Sequence, residues 1–128
     1  MKLLLDTHLL LWAAGQPEQL SAEARAQIED PDIRLVFSVA SLWEVTIKSS
    51  LGRADFQVDP RLLRRGLLDH HYEELPILGS HAVGVQSLPP IHKDPFDRIL
   101  VAQAIGEAVT LLTMDETVGR YPGPIRMV

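Results

Sequence analysis

Short apolar stretches alternate with helix-length segments along this chain, and only a few residues separate one from the next. Residues 2–5 (KLLL), 33–38 (IRLVFS), 75–78 (LPIL) and 109–113 (VTLLT) read as strands, with 125–128 (IRMV) as a last one. Between them lie helix patterns with recognisable ends. Residues 7–14 stop at Gly15 and Pro17, and Ser21 starts an Ala-rich helix with Pro31 beyond its end. A helix from about Ala40 to Leu51 stops at Gly52. Asp59-Pro60 and Asp94-Pro95 each supply an N-cap followed by a proline whose missing N–H costs nothing in a first turn. They open the helix RLLRRGLLDHH and a helix reaching about Ala108, with a short helix near 80–87 between them. Alternation of this kind with short connections predicts an α/β/α sandwich, a mostly parallel central sheet flanked by helices.

A chain of 128 residues is expected to form one domain, 1–128, with a core of its own. No apolar run approaches the roughly 18 residues needed to cross a bilayer, so no membrane association is expected. The start, MKLLLDTHLLLWAAG, carries Asp6 and His8 where a secretory signal would be apolar, and is read as part of the fold. The chain has no cysteine, which excludes thiolate metal sites, disulfides and a Cys nucleophile and fits a cytoplasmic location. A net charge of −5 provides no general attraction for nucleic acid. A nucleic-acid partner would need a local basic patch or a bound cation.

Four acids stand where predicted strands end or helices begin: Asp6 in LLLDTH, Glu44 in SLWEVTIK, Asp97 in KDPFDRILVAQA and Asp115 in LLTMDE. Sites in open α/β sheets form beyond the carboxyl ends of the strands, and Asp6, Glu44 and Asp115 are predicted at that edge. On a helical wheel Asp97 shares a face with Leu100, Val101, Ala104, Ile105 and Ala108, an unfavourable place for a solvated acid. Each acid also has an ordinary structural reading. Asp6 and Asp115 could cap turns, and Ser41-x-x-Glu44 and Asp94-x-x-Asp97 have capping-box spacing. Glu44 could pair with Lys48 one helical turn on. Asp94 is explained as an N-cap, with a direct metal role possible.

Converging carboxylates decide between these readings through their cost. Two of them about 4 Å apart repel by roughly 4 kcal/mol at an effective dielectric near 20. A hard divalent cation with oxygen ligands, Mg²⁺ or Mn²⁺, removes that cost and can activate water against phosphorus. The histidines at 8, 70, 71, 81 and 92 show no zinc spacing, and no Gly-rich phosphate loop or G-x-S-x-G is present. His8 and His92, each two residues from an acid, are candidates for substrate contact. Lys48, Arg53, Arg61, Arg64 and Arg65 could line a phosphate-tracking groove. Trp12 and Trp43, among apolar neighbours, are expected in the core.

The segments Leu3-Leu4-Leu5-Asp6-Thr7-His8, Ser41-Leu42-Trp43-Glu44, Asp94-Pro95-Phe96-Asp97-Arg98 through Ala104, and Leu112-Thr113-Met114-Asp115 together resemble PIN domains, in particular the toxins of VapBC-type toxin–antitoxin pairs. The resemblance runs over essentially the whole chain. It implies a Mg²⁺- or Mn²⁺-dependent endoribonuclease with Asp6, Glu44, Asp97 and Asp115 as the catalytic, metal-binding quartet. It further implies RNA as substrate, a homodimer and a cognate antitoxin, and Thr113 matches a small hydroxyl residue found near such sites; Thr113, Lys48 and Arg98 are the candidate substrate contacts. The second acid of DPFDR, Asp94, departs from many PIN domains. Two other readings compete. One is a metal-dependent phosphatase on small phosphoesters, weakened because His8 stands where such enzymes place a second Asp. The other is a non-catalytic module whose acids are only caps.

Overall fold

The computed structural model describes all residues, Met1–Val128, around one five-stranded sheet. The strands are β1 (Lys2–Leu5), β2 (Arg34–Ser38), β3 (Glu73–Leu75), β4 (Thr110–Thr113) and β5 (Ile125–Met127). Their order in space is β3-β2-β1-β4-β5, and every pairing is parallel. The helices are α1 (Thr7–Gly15), α2 (Ala22–Ile28), α3 (Val39–Ser50), α4 (Pro60–Asp69), α5 (Gly79–Gly84) and α6 (Pro95–Glu107).

Pleating sends successive side chains to opposite faces, and two apolar clusters result. Leu4, Val36 and Leu111 pack with Leu100, Val101 and Ala104 of α6 on one face. Leu3, Leu5, Phe37 and Leu112 pack with Leu9 and Leu10 of α1, Ala24 of α2 and Leu63 and Leu67 of α4 on the other. Strands covered on both faces need continuous apolar runs. The sequence KLLL meets that need where an alternating one would not.

The strand expected at 75–78 lies earlier, at Glu73–Leu75. Pro76 has no N–H to give the ladder, and its carbonyl accepts instead from Gln103 Nε2 at 3.2 Å. As an edge strand with partly exposed residues, β3 needs no apolar run, so EEL carries no strand signal in the sequence. The expected helix at 80–87 divides into α5 and a 3₁₀ turn over Val85–Ser87. The helix expected through His71 closes at Asp69, and His71 turns left-handed with φ 66°.

Gln103 pins α6 to the sheet. Fully buried, it accepts from Ser38 Oγ at 2.6 Å at the end of β2, besides donating to Pro76. Ser38 Oγ in turn caps α3 by accepting from the Ala40 amide at 2.9 Å. Replacing Gln103 by Leu orphans the Ser38 hydroxyl hydrogen and the Pro76 carbonyl at nearly constant volume. It should lower the unfolding free energy by about 1–3 kcal/mol in urea titrations, whereas Gln103→Glu, which retains the acceptor, should recover part of that loss at low pH.

Candidate metal centre

Strand order changes direction between β1 and β4: the chain builds outward from β1 to β2 and β3, then returns to its other side. A crevice opens at such a switch point beyond the strand ends. Asp6 follows β1 and Asp115 lies two residues beyond β4. The first turns of α3, which leaves β2, carry Glu44. Because α6 leads back into β4, its amino end returns to the same edge with Asp94 and Asp97. All four predicted acids therefore meet on one side of the sheet.

Each is held differently. Asp6, 5% exposed, caps α1: Oδ1 accepts from the Leu9 amide at 2.9 Å, and Oδ2 accepts from Thr113 Oγ1 at 2.6 Å. The same threonine hydroxyl accepts from the Asp115 amide at 3.0 Å, so one oxygen couples the ends of β1 and β4. Asp115 Oδ1 accepts from the Thr117 and Val118 amides at 2.8 and 3.4 Å, leaving Oδ2 toward His92 Nε2 at 3.7 Å. Asp97 Oδ2 lies 3.2 Å from that nitrogen. The His92, Asp97 and Asp115 ligand atoms fall within 4.8 Å of one another. Glu44 is 6% exposed; Lys48 Nζ donates to its Oε2 at 2.7 Å, while buried Oε1 has no partner.

Crowding of negative charge appears in the acidities. Burial raises the Asp97 pKa to about 7; the charges of Asp94, Glu44 and Asp6 add to the rise, and His92 opposes it. Asp6 is also raised, mainly by burial and slightly by Asp115, against the hydrogen bonds from Thr113 and Leu9. Groups that act on one another's protons occupy a common electrostatic space. Carboxylate oxygens, one of them buried without a partner, suit a hard divalent cation. Asp6, Glu44, Asp97 and Asp115 would hold it.

Other expectations change. Arg98, a candidate substrate contact, is turned into the fold. Its guanidinium is clamped inside the fold, Nη1 donating to the Pro89 carbonyl and Tyr121 Oη, both at 3.1 Å, and Nη2 to the Val85 carbonyl at 3.1 Å. Five fixed donors make arginine suited to gathering several carbonyls at once. Thr113 is fully buried and its hydroxyl is engaged by the two aspartates, so it holds them in place and has no exposed surface of its own. Asp94 is an N-cap, Oδ1 accepting from the Phe96 and Asp97 amides at 2.8 and 3.4 Å. The Ser41–Glu44 capping box is absent, because Ser38 caps α3. Ser41 instead accepts from Thr7 Oγ1 at 2.9 Å, joining α1 to α3 beside the acids. Of the proposed basic groove, Arg64 is committed to Glu74 and Arg53 to Asp55. Trp43 is 59% exposed and meets Phe96 edge-on at 5.5 Å, so the core expectation fails for it. His92, considered only for substrate contact, is the residue whose place sequence reasoning missed. Nothing in its spacing announces that a loop folds its ring between Asp97 and Asp115.

A family model described as PIN domain matches residues 3–124. The chain is 30% identical over 125 residues to Ribonuclease VapC22 of Mycobacterium tuberculosis (strain ATCC 25618 / H37Rv), covering 95% of each protein. Among solved structures, VapBC2 from Rickettsia felis bound to a promoter DNA fragment aligns with a TM-score of 0.72 at 15% identity, covering 99% of this chain and 98% of that one. A toxin–antitoxin complex from Klebsiella pneumoniae aligns at 0.65 and 17%, covering 97% and 95%.

The raised Asp97 pKa has a definite sign in stability. Unfolded, the group ionises near the ordinary aspartate value of 3.8; folded, it holds its proton to about 7. Between those values the native state binds more protons, so this group's contribution to stability falls as pH rises. Metal-free Asp97→Asn should therefore melt above the parent at about pH 8, with the gap narrowing as pH is lowered toward about 4. Added Mn²⁺ should raise the parent's melting temperature more than the variant's, as followed by circular dichroism.

Proposed function

The chain belongs to the PIN-domain family, and from that membership we propose that it is a divalent-metal-dependent endoribonuclease acting as the toxin of a type II toxin–antitoxin pair. The observation that carries this reading is the convergence of Asp6, Glu44, Asp97 and Asp115 at the switch point between β1 and β4. Capping, with the Thr113 bond to Asp6, accounts for the bonded oxygens of Asp6 and Asp115, but leaves the buried Oε1 of Glu44 unexplained. The kinship to a VapC ribonuclease supports RNA as substrate. The fold shared with toxin–antitoxin complexes is consistent with a cognate antitoxin.

In this reading residues 1–128 form one nuclease domain. Asp6, Glu44, Asp97 and Asp115 would hold Mg²⁺ or Mn²⁺, which would activate water and offset negative charge on the phosphoryl oxygens. The chain's own groups do the positioning. Thr113 and the amino end of α1 fix Asp6, and the turn after β4 fixes Asp115. Lys48, with half its side chain exposed, neutralises Glu44 and offers an ammonium beside the site for an RNA phosphate. At a net charge of −5, local cations must overcome the repulsion between protein and polyanion. The protein works in the cytoplasm as a homodimer restrained by its antitoxin. No helix is long and apolar enough to cross a membrane.

Cleavage of single-stranded RNA by the purified protein should require Mg²⁺ or Mn²⁺ and cease with EDTA. Asp6→Asn and Asp97→Asn should reduce it to background while retaining the parent's circular dichroism spectrum. Lys48→Ala should mainly raise KM, by about 3- to 10-fold, because an exposed phosphate contact contributes on the order of 1 kcal/mol. Full cleavage by either aspartate variant, or hydrolysis of p-nitrophenyl phosphate with no action on RNA, would overturn the assignment.

A further inference from the structure

His92 lies in the loop before α6, and its ring has no part in the metal reading given above. Its Nδ1 is 3.1 Å from the backbone nitrogen of Asp94, an amide that can only donate. Nδ1 must therefore present a lone pair, which places the hydrogen of the neutral ring on Nε2. That nitrogen is the one lying 3.2 Å from Asp97 Oδ2 and 3.7 Å from Asp115 Oδ2. An N–H turned toward two carboxylate oxygens is attracted to both, so the polarity of each approach is favourable.

The loop holds the ring in this pose. The His92 amide donates to Tyr121 Oη at 2.8 Å, and its carbonyl receives Tyr121 Oη at 3.3 Å and Arg98 Nη1 at 3.4 Å. Tyr121 is itself only 4% exposed, and Arg98 is anchored through its further carbonyl contacts. The same arrangement occurs a second time in the chain. His81 Nδ1 accepts from the Leu78 amide at 2.9 Å, and its Nε2 faces Glu107 Oε1 at 2.9 Å. A backbone amide at Nδ1 with a carboxylate at Nε2 is thus a device this sequence uses at two places.

We propose that His92 is a positioning residue whose Nε2–H faces Asp97 Oδ2 at 3.2 Å and Asp115 Oδ2 at 3.7 Å, drawing both carboxylates toward one point for the cation while the imidazole stays outside its coordination. A ligating nitrogen needs a free lone pair, and the only one on this neutral ring is engaged by Asp94. The compact His92–Asp97–Asp115 grouping is therefore not a mixed nitrogen–oxygen site. A cation in this crevice meets oxygen alone, which suits Mg²⁺ and Mn²⁺ and removes the imidazole that would favour Zn²⁺ or Ni²⁺. The inference rests on the metal reading of the four acids.

Long-range ¹H–¹⁵N spectra of the metal-free, ¹⁵N-histidine-labelled protein at about pH 8, where an ordinary histidine is neutral, test the ring directly. His92, identified by loss of its signals in His92→Gln, should show the Nε2–H tautomer, with His81 as an internal reference. An Nδ1–H pattern overturns the proposal. With Mn²⁺ bound, pulsed EPR should show no directly coordinated imidazole nitrogen; a strong nitrogen coupling that disappears in His92→Gln overturns it. His92→Ala should weaken Mn²⁺ binding by about 10- to 100-fold, the usual cost of losing a group that orients a ligand. His92→Gln, which retains a donor of similar reach, should recover most of that loss. Binding by both variants equal to the parent's overturns the proposal. If the parent itself fails to bind Mn²⁺, the metal reading falls and the role of His92 with it. Binding together with nitrogen coordination removes the role of His92 alone.

Discussion

Because all five strands run the same way, their carboxyl ends lie along one edge of the sheet, and whatever the chain places after each strand is gathered there. The β1–β4 pairing matters most. Leu5 is opposite Leu112, so Asp6 emerges beside Thr113, and a single threonine hydroxyl can serve both Asp6 and Asp115. A shift of one residue in that register would point Thr113 to the opposite face and separate the acids. The alternating assignment of leucines to two cores guards against such a shift: Leu4 and Leu111 face α6, while Leu3, Leu5 and Leu112 face α1 and α4.

That gathering opposes stability, and the surrounding contacts show how it is tolerated. Burial and neighbouring charge hold Asp97 protonated to about pH 7, and Glu44 keeps a buried oxygen without a partner. The compensation is local and made of hydrogen bonds. Helix and turn amides serve Asp6 and Asp115, Lys48 serves Glu44, and Gln103 and Arg98 lock the frame in which α6 presents its acids. Such strain at one crevice within an otherwise apolar, well-paired fold is expected where a sequence is committed to binding something. A divalent cation answers each of these costs at once.

Most elements were legible because they depend on neighbours in sequence. Proline after Asp59 and Asp94 marked two helix starts, and KLLL and VTLLT marked buried strands, all within a residue of where they stand. The edge strand was misplaced because EEL has no apolar signal and is selected by pairing with β2. Trp43 was assigned to the core by the company it keeps in sequence, yet α3 turns it outward against Phe96. Arg98, beside a site acid in sequence, turns on its helix toward carbonyls of the 85–92 segment and the Tyr121 hydroxyl, which meet it only when that segment folds back on α6.

The kind of chemistry open to the site was legible in the sequence, since acids closing apolar strands, with no cysteine and no zinc-like histidine spacing, point to a hard cation once they converge. So was the edge on which they would meet, because parallel strands impose it. Only the tertiary structure decided the division of labour among these groups: Thr113 as the tie between two aspartates, Asp94 as a cap, Arg98 as a clamp and His92 as the ring between Asp97 and Asp115. Periodicity and capping are properties of adjacent residues and can be read in one dimension. A hydrogen bond between residues 6 and 113 exists only once the chain has closed on itself.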